Sequence, residues 1–457
     1  MGADYSPKCV ASGSGETKLL KFAGRSAMLS DSVRVSRRDV LGVMGALGLS
    51  LSLPAMAGRA VARRSAERPK SVITLWMGGG MSQLESWDPH PGSPSSDELK
   101  SISTTVNGLE ISEFLPQMAE QMHRTTVIRS LTSEEGDHER GTYFVKTGHR
   151  LDPTLTYPAL GAIAASQLPD PTVEIPQHIC LGTDRFWPRG GYLGNEWDAF
   201  RIFNPGRSQD NLRSGVSDQR QASRLSGLEA LNRSFRRGRP TAERDTLHQK
   251  TMQEALRMMS SEQLRAFDLD DEPYEVRAAY GDTRFGRGCL VARRLLETGV
   301  RAIEVSLDGF DTHAANLEGH RTQLEILDPA FAMLLNDLAG RDLLESTVVL
   351  CIGEFGRTPQ INPVAGRDHW PHWFSCVVAG GGFRAGHVVG RTIGTIPGQR
   401  KQKGPKPKPA DPVTIPQLYA TILKTMGIAW DTEIMTPVDR PIRFAEADPL
   451  NTLIRDG

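Results

Sequence analysis

The chain has 457 residues, 54 basic and 54 acidic, a formal net charge of zero and a pI near 7.2. That balance argues against a nucleic-acid partner, which would leave a basic footprint, and the length allows one large domain or two ordinary ones. Of five cysteines, Cys9 lies near the start, and Cys180, Cys289, Cys351 and Cys376 are widely spaced with no C-x-x-C pair, so they form no disulfide framework or zinc ribbon.

The first readable word is Ser36-Arg37-Arg38-Asp39-Val40-Leu41, a twin-arginine pattern, followed by an uncharged apolar run to Leu53 and then Pro54-Ala55-Met56-Ala57. A basic start, a short apolar stretch and an A-x-A site form the layout of an export signal. The run is shorter than the ~20 residues a membrane span needs. Residues 1–57 are therefore expected to be a twin-arginine signal peptide cleaved after Ala57. The twin-arginine export machinery is then a partner, and the mature protein is periplasmic or otherwise exported with no stable membrane span.

Ser71–Met77 reads as a buried strand running into Gly78-Gly79-Gly80-Met81-Ser82-Gln83. Gly79, Gly80 and Ser82 could offer backbone N–H groups to an anion, or the loop is simply a tight turn. Phe114–Met122 reads as helix and Thr126–Leu131 as strand. Asp137-His138-Glu139-Arg140-Gly141-Thr142 then opens a short helix that Gly148 stops. His138 falls at its N-terminus, where the helix field favours an anion and opposes protonation of the imidazole; the plain alternative is a helix-cap histidine. Pro158–Leu168 reads as helix, Ile175–Leu181 as strand and Trp187–Gly206 as a long loop. The stretch at about 207–285 reads as a charged, mostly helical insert broken at Arg236–Pro240.

Gly288–Thr298 is an amphipathic helix that Gly299 stops. The strand Val300–Leu307 leads into Asp311-Thr312-His313, and a helix follows at Leu324–Leu338. The strand Thr347–Ile352 leads into Gly353-Glu354-Phe355-Gly356-Arg357-Thr358-Pro359, and then comes Gly366-Arg367-Asp368-His369-Trp370. Phe374–Ala379 is a strand, residues 399–409 form a basic proline-rich loop, and Pro416–Met426 is a last helix. This alternation implies an α/β fold, a mostly parallel central sheet with helices on both faces. In such sheets ligands sit at the carboxyl ends of strands. Carboxylates and imidazoles gathered there suit a divalent metal, and Asp311, His313, Glu354 and His369 are the candidate ligands. Zinc or manganese fits that mixture better than calcium or magnesium. The competing account is a metal-free network in which Arg357 and Arg367 neutralise the acids.

The words Gly78–Pro89, Asp137–Gly148, Phe310–His313, Gly353–Pro359 and Gly366–Pro371 resemble the exported family known as domain of unknown function 1501, over nearly all of residues 70–457. That family resembles a branch of the alkaline phosphatase and sulfatase superfamily. Placing Thr147-Gly148 on the sulfatase T-G puts His138 at the nucleophile position. Glu354 then falls on a metal-binding aspartate and Phe355 on the neighbouring ligand. The departures are the glycines where the first strand usually ends in aspartate, and a histidine where a formylglycine sulfatase needs cysteine or serine. The resemblance implies a single alkaline phosphatase/sulfatase-like domain and a metal-dependent hydrolase of sulfate or phosphate esters, on an anionic small molecule or a polysaccharide ester. His138, Arg357 and Asp368 would be its catalytic residues, with Arg357 pairing the anion. The alternatives are a non-catalytic glycan- or protein-binding member of the same fold, and transfer chemistry of the phosphomutase type.

Overall fold

The computed structural model describes residues 70–93, 99–207, 212, 215–237, 247–393 and 408–455. The twin-arginine segment and residues 399–407 of the basic loop lie outside the described residues.

Nine strands form the main sheet: β1 (Ser71–Gly78), β2 (Thr125–Thr132), β3 (His178–Leu181), β4 (Phe200–Ile202), β5 (Ala302–Asp308), β6 (Thr347–Ile352), β7 (Phe374–Gly380), β8 (His387–Val389) and β9 (Val413–Thr414). Their order is β8-β2-β7-β6-β1-β5-β3-β4, with β9 also paired to β2. The pairs of β1 with β5 and β6, of β5 with β3, and of β3 with β4 are all parallel. Strand β7 alone runs antiparallel to both neighbours, β2 and β6. The sheet is thus mostly parallel, and β2 points the same way as β1, β5 and β6.

Seven helices matter to the argument: α1 (Pro116–Gln121), α2 (His138–Thr147), α3 (Leu160–Gln167), α4 (Asp218–Arg236), α5 (Arg284–Glu297), α6 (Asn316–Gly340) and α7 (Ile415–Met426). The two-residue alternation of β1 shows how they are placed. Ile73, Leu75 and Met77 pack into a cluster with Leu290, Val291 and Leu295 of α5 and with Leu327, Phe331 and Leu335 of α6. Val72 and Trp76 pack on the other side with Phe144 of α2, Ile163 of α3 and Leu418 and Ile422 of α7. Helices cover both faces, as the alternating sequence pattern predicts. Each fully buried side chain of this size contributes about 1.5–3 kcal/mol, so the sheet edges that carry polar loops rest on a deep apolar base.

Helix α6 begins at Asn316, earlier than the expected Leu324, because its first turns carry a polar face, and it runs through Pro329. Just before that proline, Asp328 accepts hydrogen bonds from Gln117 N (2.9 Å) and Met118 N (2.7 Å), capping the orphan N–H groups of α1. In the charged insert the described helical stretches include α4 and Leu247–Met259. Among the described residues no helix is long and apolar enough to cross a membrane.

Candidate metal centre

Four parallel strands end at one edge of the sheet, and each hands over to a polar word. After β1 come Gly79 to Gln83, after β2 comes His138, after β5 come Asp311 and His313, and after β6 come Glu354 and Arg357. Because β7 is reversed, it starts at this same edge, and its approach carries His369. A two-residue ladder pairs His369 with Arg357 and Trp370 with Gly356, which folds that approach back over the strand ends. Sequence words separated by up to 290 positions, Gly79 to His369, are thus brought together by strand direction alone.

Three ligand atoms form a near-equilateral triangle. Asp311 Oδ1 lies 3.1 Å from His313 Nε2 and 3.3 Å from His369 Nε2, and the two histidine nitrogens are 3.1 Å apart. Tetrahedral ligands about 2.0–2.1 Å from a zinc ion are separated by about 3.3 Å, so the triangle has the size of one tetrahedral face. A fourth group, His138, presents Nε2 at 3.2 Å from Asp311 Oδ2. The far nitrogen of each imidazole meets an oxygen. His369 Nδ1 lies 2.8 Å from Gly136 O, His313 Nδ1 lies 3.2 Å from Asp368 Oδ1, and His138 Nδ1 lies 2.8 Å from Glu354 Oε1. A proton held on Nδ1 leaves Nε2 with its lone pair free, and that is the tautomer metal binding needs. Gly136 O and Asp368 thus act behind the ligands, orienting them.

Glu354 is 2 % exposed. Its Oε1 also accepts from Gly79 N at 2.9 Å, while Oε2 is buried with no hydrogen-bond partner. A lone carboxylate oxygen facing no donor is costly in the interior and suits a site that receives a cation. Phe355 has its side chain against the same centre: its ring stacks on His369 (4.4 Å between centroids) and lies 5.1 Å from His138. A Cβ on Gly80 would meet that ring at 2.6 Å, and Gly80 has φ +82°, so this position needs glycine on both counts.

Arg357 is fully buried and gives four of its five N–H bonds to protein. Nη2 donates to Asp311 Oδ1 (2.6 Å) and to Gly79 O, Nε to Gly80 O (3.0 Å), and Nη1 to Arg367 O (3.1 Å). The glycine loop is likewise turned inward. Gly79 N is spent on Glu354, and Ser82, fully buried, gives its N–H to His320 Nε2 at 2.8 Å. Burial alone would raise the carboxyl of Asp311, but the Arg357 guanidinium and His138 hold it down at about 2. The hydrogen bond to Glu354 raises the pKa of His138 above its ordinary value, whereas burial lowers that of His369. The helix end expected to oppose protonation of His138 is occupied by the N-cap Asp137, whose carboxylate accepts from Glu139 N and Arg140 N.

Several residues of this architecture carry no readable sequence signal. His320 is buried in the middle of a helical stretch. Glu85 pairs with Arg367 at 2.7 Å beneath the loop. Behind α2, Lys146 bonds Asp184 and Glu304 (2.6 Å to the latter), all three buried. Glu304 was detectable in principle, as the one acid in the apolar run Ala302–Leu307.

No curated protein matches the chain. Similar solved structures include Ps i-CgsB (9% identity, TM-score 0.39, covering 79% of this chain and 72% of that one). They also include the PsFucS1 sulfatase from Pseudoalteromonas sp. (10% identity, TM-score 0.37, 81% and 70%). A third is the alkaline phosphatase from the Antarctic bacterium TAB5 (13% identity, TM-score 0.35, 79% and 99%). The profile of the family described as "Protein of unknown function (DUF1501)" matches residues 69–454, and the chain belongs to that family.

Proposed function

We propose that this protein is an exported, metal-dependent hydrolase of sulfate or phosphate esters. The observation that carries the reading is the triangle of Asp311 Oδ1, His313 Nε2 and His369 Nε2, with both imidazoles held by their other nitrogens. These three residues would hold a divalent cation, and the nitrogen-rich set favours zinc. When bound, such an ion polarises an ester oxygen and lowers the pKa of a coordinated water. His138, steered by Glu354, is placed to accept or donate a proton at the reacting oxygens. Arg357 sets the position of Asp311 and the glycine loop.

One observation favours a second reading: Arg357 already neutralises Asp311 at 2.6 Å. A permanent ion-pair network of this kind suits a non-catalytic glycan- or protein-binding member of the fold.

The two readings part on metal. The purified protein is assayed for bound metal and screened against sulfate and phosphate esters, with Asp311→Ala, Glu354→Gln and His138→Ala beside it. The hydrolase reading expects about one equivalent of metal, lost in Asp311→Ala. It expects metal retained but turnover reduced in Glu354→Gln, because Glu354 orients the proton-transferring His138 and none of the three ligands. It expects turnover abolished in His138→Ala with the fold intact. A protein that binds no metal and cleaves no ester belongs to the second reading. Export is tested separately: Arg37→Lys with Arg38→Lys should leave the precursor in the cytoplasm, and normal export of that variant would remove the signal-peptide assignment.

A further inference from the structure

Beyond the metal centre, the side of α2 facing the loop after β3 forms a pocket of about 210 Å³. One wall is α2 itself, through Thr142 and Tyr143; the other is Arg185, Phe186 and Trp187. Both walls are fastened to the edge of the sheet that carries the candidate ligands. Thr183 Oγ1 donates to Asp308 Oδ2 (3.1 Å) at the end of β5, and Asp184 accepts from Lys146 of α2. His138 and Thr142 are four residues apart, so they lie on one face of the helix with about 6 Å between them along its axis. The pocket therefore flanks the metal centre.

Its exposed surface is mainly apolar, and several of its polar groups are already committed, with the Glu139 carboxylate also in the lining at the start of α2. Tyr143 Oη accepts from Tyr157 N (2.7 Å), Thr147 Oγ1 donates to Tyr143 O (2.7 Å), and Lys146 is held by its two carboxylates. The Trp187 indole is fixed in place by the Arg201 guanidinium, 4.0 Å from its centroid. A ring rich in hydroxyls would lose more hydrogen bonds to water here than the few remaining polar groups return. A flat apolar ring would not, and an apolar cavity of about 150 Å³ is enough to hold benzene. At the mouth, Arg189 is paired with Asp198 at 2.9 Å, but exposed Arg185 has no acidic partner within salt-bridge distance among the described residues; its guanidinium lies over Phe186 at 5.2 Å. An apolar slot with one uncommitted guanidinium at its rim complements an anion carried on an aromatic ring.

We infer that this pocket receives the organic group of the substrate, and that the substrate is an aryl ester anion and not a polysaccharide ester. The inference rests on the hydrolase reading for the reacting end, but it can be tested by binding alone. Phenylphosphonate, methylphosphonate and glucose 6-phosphate are titrated calorimetrically into the full chain. The wild-type protein should bind phenylphosphonate at least about tenfold more tightly than methylphosphonate, a difference of about 1.4 kcal/mol, and glucose 6-phosphate no better than methylphosphonate. Thr156→Trp, at an exposed position in the pocket lining, fills the slot. It should bring the phenyl-to-methyl ratio to within about twofold of unity, with methylphosphonate affinity unchanged. Arg185→Ala, on the surface, should weaken phenylphosphonate several-fold and serves if the tryptophan variant does not fold. Equal affinities in the wild type, a ratio that survives Thr156→Trp, a preference for glucose 6-phosphate, or no binding of either phosphonate would each overturn the assignment. A protein that shows the expected ratios but never turns an ester over would sink the hydrolase reading and keep the pocket.

Discussion

Replacing Lys146 by methionine would remove the only cation bonded to the side chains of Asp184 and Glu304 among the described residues. All three side chains are about 5–6 % exposed, so solvent screens them little. Methionine keeps the stem's volume and its contact with the Trp76 ring, 4.4 Å from the ammonium. The loss is then chiefly electrostatic. Breaking a buried pair costs about 3–5 kcal/mol, because it strands a charge. Glu304 moderates this: burial, together with Asp184, pushes its carboxyl up to about 8 against the pull of Lys146, so it can stay neutral at little cost. The sign of the pH dependence follows. A carboxyl whose pKa is raised on folding stabilises the fold below its ordinary value, and that stability is lost as pH rises through the folded value. Without Lys146, Glu304 moves further in that direction, and Asp184, which Lys146 holds below its ordinary value against the effect of burial, is released upward. The variant should therefore lose about 3–5 kcal/mol near pH 8 and only about 1–2 kcal/mol near pH 5.5. Urea unfolding followed by tryptophan fluorescence at the two pH values reads this directly, with Glu304→Gln, expected to cost under about 1 kcal/mol, as the control. A loss below about 1 kcal/mol at the higher pH, or an equal loss at both, would refute the reasoning.

Two further outcomes follow from local geometry. At Gly366 an added Cβ would sit 1.8 Å from His313 O, a backbone atom that can yield only by moving the ligand. Gly366→Ala should cost about 1–3 kcal/mol and weaken metal binding with it, and a metal titration unchanged from wild type would separate His313 from this loop. Asp137→Ala removes the cap of α2 and should lower stability by about 1 kcal/mol, seen as a lower Tm. The same change frees the helix end beside His138, so its imidazole pKa, followed by NMR, is expected to fall.

Much of this site could be read before any coordinates. Apolar runs ending in Asp311-Thr312-His313 and Gly353-Glu354 announce strands whose far ends carry chemistry, and parallel pairing then gathers those ends. Asp137 and Gly148 bracket α2 by local rules that need no tertiary context. What escaped depends on direction and depth. Nothing in Phe374–Gly380 distinguishes a reversed strand from a parallel one, yet that reversal is what returns His369 to the edge. Glu354 reads as a ligand from its place after β6, whereas its Oε1 lies between His138 and Gly79 and so orients the imidazole. Arg357 reads as an anion clamp from residue type, but burial commits it to carbonyls and to Asp311. The partnership of Lys146 with residues 38 and 158 positions away has no local signature at all.

The guanidinium of Arg357 also says something about the order in which the chain assembles. Its bonds reach back 277 and 278 positions to the glycine loop and 46 to Asp311, and forward 10 to Arg367. Contacts of such separation close late, after helices and neighbouring strands have formed, because loop-closure entropy must be met first. The three ligand atoms depend on the segments it joins. On the metal-dependent reading, a nascent or partly unfolded chain would present no triangle for a metal to find, and capture of the ion would signal that folding has finished.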